Sequence, residues 1–389
     1  MTSASAHAES SFPRITLFAL VAFAAITPLA LLVAPALAAQ LARELNASPS
    51  QIGTYFFVEN GAFSAASLLS LIWLGRINVH HAALAALAVF IAGNLLTPLV
   101  LPDYASLLLI RAVTGFGGGT LMVLSMISAQ DAQNPDRIYG YWVAGQLVAG
   151  AMGLAALPHV FASFGLQSFY ILLGLLTLAL VPLHKGFLAP AAASGSKKTG
   201  AAMDKPFLVL AAFTLAAVLI FYIAIGGAWT FASHAAGEAG IVEPQTGTLL
   251  AIASLFGIAG ALITAVTGGR LYRRSMLLAG YAILVASLAG LAILKGAAGF
   301  AAAIFAFKFA WTFALPFIIA EVAQRDPSGR LVASTTMIIG TGLSLGPLFA
   351  GELLGAGWSL SAVFLAAAAC GALSFACLAF SPRAASSLK

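Results

Sequence analysis

YASLLLIRAVTGFGGGTLMVLSMISA, residues 104–129, contains one charged side chain, Arg111. As a helix rising about 1.5 Å per residue it is long enough to cross the roughly 30 Å hydrocarbon core of a bilayer. A strand reading fails, because the run lacks the period-two alternation of a membrane barrel. The rest of the chain has the same character. Of 389 residues, 61% are hydrophobic and 8% charged, against about 25% charged in a soluble domain. In such a chain the placement of charge matters more than the formal net charge of +6, and no nucleic-acid partner is expected.

Outward from this stretch, twelve apolar segments are predicted: 15–39, 51–74, 82–101, 104–129, 138–160, 165–184, 206–233, 245–267, 275–294, 298–321, 330–354 and 357–380. A water-free bilayer leaves the backbone only helices or a closed barrel, so these are helices. Arg14, an apolar run and then APALAAQ (34–40) resemble a cleavable leader. The run is long for a leader and eleven spans follow, so it is taken as the first span. Cys370 and Cys377 lie seven apart in one helix, too far for a disulfide.

Basic residues orient the chain. With the N-terminus inside, 14 of the 18 fall in cytoplasmic segments, while Arg43 and Lys295 fall outside. Both termini are therefore expected in the cytoplasm of a cell (inner) membrane. The longest polar interruption, 185–205, carries GSKKTG (195–200) and reads as a cytoplasmic linker. It divides the chain into an N-terminal six-helix bundle (1–184) and a C-terminal one (206–389).

The two parts repeat. Q-I-G-T (51–54) matches Q-T-G-T (245–248), and G-R-I (75–77) matches G-R-L (269–271), both 194 residues apart. A shared offset at corresponding places argues for two parallel halves. With its twelve spans, linker and repeat, the chain resembles the major facilitator superfamily over essentially its whole length. RAVTGFGGG (111–119) looks like that family's fourth-span motif. GRINVHH (75–81) stands where its loop 2–3 signature belongs, and GGRLYRRS (268–275) is the second copy. The chain departs from the pattern at Gly75, where the family has an aspartate, and at His80 and His81, where it has other basic residues. The fifth span, with GQLVAG (145–150), lacks the exporters' Gly-Pro, which appears instead at Gly346-Pro347. The resemblance implies an all-α membrane fold of two pseudo-symmetric bundles. It also implies gating at Gly75, Arg76, Gly269, Arg270, Gly346 and Pro347, and a monomer.

Three charges stand deep inside spans, where an ionisable group is costly and faces protein or a cavity. Glu59 is about 12 Å in, Arg111 about 10 Å and Lys308 about 15 Å, all counted from the outer face. Glu59 and Arg111 are expected to pair, since a paired buried charge is far cheaper than a lone one. Two readings stay open: a salt bridge that only fixes packing, and a proton- or substrate-responsive pair in which Arg111 is also a candidate substrate-binding residue. Lys308 has no obvious deep acidic partner. It is either an anion ligand or a lysine held without charge or snorkelling outward. Lying 197 residues after Arg111, it is expected across a cavity from it. Gly115, Gly118, Met122 and Met126 share the Arg111 stripe, and the methionines would make a soft substrate wall. Trp311 and Thr312 lie on the Lys308 side, with Trp229 and Tyr222 as further lining. Asn94 and Gln146 read as interhelical hydrogen-bonding residues.

The expected function is a secondary transporter that moves a small organic solute, an organic anion first of all, by alternating access with proton coupling. The alternative is a proton-driven efflux pump for amphipathic drugs or metabolites. No phosphate-binding loop of the G-x-x-x-x-G-K-[ST] kind is present. No histidine joins a carboxylate cluster in the sequence, so neither an enzyme nor a metal or cofactor is expected.

Overall fold

The computed structural model describes residues 13–130, 135–188, 205–267, 273–325 and 330–380. Among these residues there is no strand. Fifteen α-helices follow in order: α1 Arg14–Ile26, α2 Leu29–Leu32, α3 Ala34–Glu44, α4 Pro49–Trp73, α5 Val79–Val100, α6 Tyr104–Gln130, α7 Pro135–Phe164, α8 Gln167–Ala179, α9 Lys205–Thr230, α10 Ala232–Glu238, α11 Glu243–Thr267, α12 Arg273–Ile293, α13 Gly296–Arg325, α14 Arg330–Gly355 and α15 Leu360–Phe380. Nine helices among the described residues are long and apolar enough to cross a membrane. Gly269, Arg270 and residues 189–204 of the expected linker lie outside the described residues.

Three expected spans are broken. The first is split into α1, α2 and α3, with Pro28 before α2 and Pro35 in the first turn of α3. Proline has no N–H and cannot continue a helical ladder, which accounts for both breaks. The sixth ends at Ala179 and passes into a short 3₁₀ turn, Val181–Gly186, opened by Pro182. The seventh is interrupted at Phe231, between α9 and α10, with no proline present; the Phe231 N–H reaches back to Gly227 O at 3.4 Å.

The repeated Q-x-G-T motif acquires a physical meaning. Gln51 closes a capping box on α4. Its backbone N–H donates to Ser48 Oγ at 3.3 Å, and its side-chain oxygen accepts from the Ser48 N–H at 2.9 Å. Ser48→Ala should therefore cost about 1 kcal/mol. A melting temperature unchanged from wild type in micelles would count against this cap. The motif's glycines sit on two seams between early and late helices. A Cβ at Gly53 would lie 2.5 Å from Pro347 O on α14, and one at Gly247 2.5 Å from Leu154 O on α7. Backbone this close admits no side chain. The turn residues repeat as well: Asn46 and Gly240, again 194 apart, both have positive φ.

The α4–α14 seam runs from Ser50, whose hydroxyl donates to Gly351 O at 3.4 Å, to Ser64, which stands against Gly340. One turn beyond, Leu68 is exposed. The α7–α11 seam runs from Pro158 and Gly247 to Leu147 and Gly257. The chain is therefore closed on the face opposite residues 185–188. Between α3 and α11, Arg43 pairs with Glu243 on that closed face. Glu44 accepts the Leu166 N–H at 2.6 Å, placing a carboxylate at the start of α8, where the helix dipole favours it.

Candidate functional site

Two separate polar clusters occupy the interior. The first is built on α4, α5, α6 and α8. Arg111 is wholly buried and Glu59 nearly so. The Arg111 guanidinium pairs with Glu59 Oε1, donates to Asn94 Oδ1 at 2.9 Å and to Thr97 Oγ1 at 3.3 Å, and lies 5.0 Å from the centre of the Tyr170 ring. The Tyr170 and Tyr55 hydroxyls meet at 3.0 Å. The expected pair thus exists, inside a larger network. Asn94, Thr97, Tyr55 and Tyr170 are its additional members. Their register held a signal: Tyr55 precedes Glu59 by four, and Asn94 precedes Thr97 by three, so each pair shares a helix face. Which faces meet is not a local property.

This network is incomplete. Glu59 Oε2, Arg111 Nε and the neighbouring Asn60 Nδ2 are buried without a hydrogen-bond partner. Each unmade bond of this kind costs about 1–3 kcal/mol.

The glycines of α6 serve packing. A Cβ at Gly115 or Gly119 would meet the backbone of Glu59 or Phe63 on α4, and one at Gly118 would meet the Phe90 ring on α5. These contacts are filled by helices, not by an open cleft. Met122 is buried and the backbone carbonyl of Met126 accepts from Tyr139.

The second cluster surrounds Lys308 on α13, which is 3% exposed. Its ammonium lies 3.9 Å from the centre of the Trp229 ring and 4.2 Å from that of Trp311. Trp311 also stands beside the Tyr222 hydroxyl. Lys308 makes no ion pair among the described residues. Two cation–π contacts supply about 2 kcal/mol each when desolvated. Together they are comparable to the several kcal/mol that burial costs an ion, and leave no surplus from pairing with an opposite charge. Thr312 turns away from this box; its hydroxyl donates to Gly257 O at 2.6 Å and ties α13 to α11. Arg111 and Lys308, expected to face one another, have separate sets of partners.

The gating candidates lie elsewhere. Gly75 makes a positive-φ turn after α4, and the Arg76 N–H returns to Trp73 O at 2.9 Å. Gly346 packs on Ile223 and Gly227 of α9, and Pro347 on Gly53. On the closed face, a cavity of about 610 Å³ is lined by Arg43, Ser233, His234, Glu238 and Glu243 among others. The sequence reading left His234 outside any carboxylate cluster. His234 shares this lining with Glu238 and Glu243, and no group of three His, Cys, Asp or Glu able to hold a metal occurs among the described residues.

Long apolar helices, two seams between early and late helices and charged residues held in the interior define a multi-pass membrane protein. The chain matches the family model of the Major Facilitator Superfamily over residues 16–328, and it belongs to that family. No curated protein sequence matches it. Among solved structures it is similar to a mutant of the nucleoside transporter NupG, with a TM-score of 0.73 and 14% identity over 94% of this chain and 99% of that one. It is also similar to a bacterial homolog of the human lysosomal transporter Spinster, in an inward-facing and unoccupied conformation. There the TM-score is 0.62 and the identity 15% over 94% of this chain and 93% of that one. At these identities the likeness shows the fold alone.

Proposed function

We propose that the chain is a secondary transporter of a small organic anion, coupled to protons and working by alternating access. The observation that carries this reading is Lys308: a buried amine held between two indoles, with no ion-pair partner among the described residues. An anionic group is the chemistry that would complete such a site. Trp229, Trp311 and Tyr222 would line it, with Met122 and Met126 as further candidates, while Thr312 is committed to α11. Arg111 is already engaged by four neighbours, so its role is assigned to proton coupling with Glu59 rather than to the substrate. Glu59 Oε2, which lacks a partner, is the atom that would take the proton.

The remaining features of this reading go together. The chain is taken as twelve spans in two six-helix bundles, 1–184 and 206–389, joined by residues 185–205. It acts as a monomer in a cell (inner) membrane, with both termini cytoplasmic. Gly346 and Pro347 sit on the closed seam and would part as it opens. The chain acts as a carrier, without chemistry on its substrate.

Proton movement in proteoliposomes with a trapped pH dye tests the proposal. Anion-driven flux is expected in wild type, falling roughly 10- to 100-fold in Lys308→Ala, the range for loss of a hydrogen bond to a charged group. Flux driven only by lipophilic cations, indifferent to Lys308, would refute the anion reading and favour efflux of amphipathic compounds.

A further inference from the structure

Trp229 has a second partner that the substrate reading does not use. Its Nε1–H donates to Leu31 O at 3.1 Å, across 198 residues and from α9 to α2. In an unbroken helix, Leu31 O would accept from residue 35. Residue 35 is proline and has no N–H to give. The indole therefore supplies a part-buried carbonyl, reached otherwise only by the Val33 N–H, with the donor that Pro35 withholds. One Trp229 side chain, wholly buried, thus touches both the Lys308 ammonium through its face and the broken first span through its edge.

The two ends of this contact have different owners. Lys308 and Trp311 belong to α13, and Trp229 ends α9 just before the break at Phe231. Leu31 lies in the short helix between the two breaks of the first segment. From there α3 leads to Arg43, and α10 leads to Glu243 at the start of α11, the ion pair of the closed face. The bond therefore bridges early and late helices at the level of the lysine.

We infer that Trp229 is a positioning residue that couples Lys308 to closure of this face: the ammonium on its ring holds the indole edge against Leu31 O, and drawing the ammonium away releases it. The inference rests on the alternating-access reading above, but not on the charge of the substrate. A ligand shifts a conformational equilibrium only through a difference in its contacts between states. Here that difference is the indole clamp. An anion that recruits the ammonium would loosen the clamp and favour opening.

The test reads accessibility, so it needs no substrate. In a background of Cys370→Ser and Cys377→Ser, Ser50→Cys places one thiol on the α4–α14 seam. A membrane-impermeant maleimide then reports opening of the closed face. Trp229→Phe keeps an aromatic face but loses the N–H, and should speed labelling about tenfold, as the loss of one interhelical hydrogen bond allows. Lys308→Gln should speed it about threefold when Trp229 is present and not at all in the Trp229→Phe background. Lys308→Arg, which keeps a cation for the indole, should label as wild type; this arm stands even where Trp229→Phe fails to fold. The coupling is overturned by unchanged labelling in Trp229→Phe or in Lys308→Gln, by effects that multiply in the double variant, or by Lys308→Arg behaving as Lys308→Gln. Should anion-driven flux be absent from wild type while the labelling cycle holds, the substrate reading fails and the clamp does not.

Discussion

Glu59→Gln is expected to weaken the observed conformation by about 3–5 kcal/mol, because it leaves the wholly buried Arg111 with neutral partners only. The Asn94 and Thr97 oxygens remain as acceptors but carry no compensating charge. Replacing both members, as in Glu59→Leu with Arg111→Met, removes the stranded ion and should recover most of that loss. Where the cost appears separates the two readings of the pair. A packing salt bridge shows it as a lower melting temperature. A proton switch shows it as opening, because Glu59→Gln imitates the protonated acid. Glu59 stands on α4, whose Gly61 and Ser64 face α14, so relief is available by parting that seam. Melting in micelles and maleimide labelling of Ser50→Cys, measured together, decide between them. If neither changes, the pair holds no significant energy in this conformation.

The second large effect concerns the glycines of the repeated motif. Gly53→Ala and Gly247→Ala each place a methyl group 2.5 Å from a backbone carbonyl of a facing helix, which cannot rotate away as a side chain would. Forcing a group into a packed contact costs about 1–3 kcal/mol. Only the closed state bears this cost, so the equilibrium should move towards opening roughly 5- to 100-fold, at about 1.4 kcal/mol per factor of ten. For Gly247→Ala the thiol is placed at Ser50, and for Gly53→Ala at Thr246, so that the reporter is never beside the change. Gly140, whose added Cβ would meet nothing within 4 Å, supplies the control. Equal labelling in all three glycine variants would mean that the seams do not limit opening.

These two effects also mark how much the sequence discloses about the site. Glu59, Arg111 and Lys308 were legible because charge inside an apolar run is visible residue by residue. Their pairing was legible in part: depth, counted along each helix, put Glu59 and Arg111 at one level. Of the four neutral residues around Arg111, Asn94 was legible as an interhelical hydrogen-bonding residue; Tyr55, Thr97 and Tyr170 were hidden, since tyrosine and threonine are unremarkable in any one helix. The aromatic box was half visible. Trp311 follows Lys308 by three and so shares its face, whereas Trp229 arrives from a helix about eighty residues away. The clamp on Leu31 had a local sign in Pro35, which announces a carbonyl without its helical donor, but nothing local to the first span says what supplies one.

By itself, the sequence determined that this is a helical membrane protein with a repeated architecture and three buried charges. Those conclusions rest on hydrophobicity, helix rise and bilayer thickness, all of which act along one segment at a time. Only the tertiary structure decided which helix faces meet, that Arg111 and Lys308 keep separate company, and that one face of the molecule is closed. The reason is that helices apolar nearly all round carry no polar side to set their rotation. In such helices, close backbone approach at glycines, and the polar atoms that must find partners out of water, choose the neighbours.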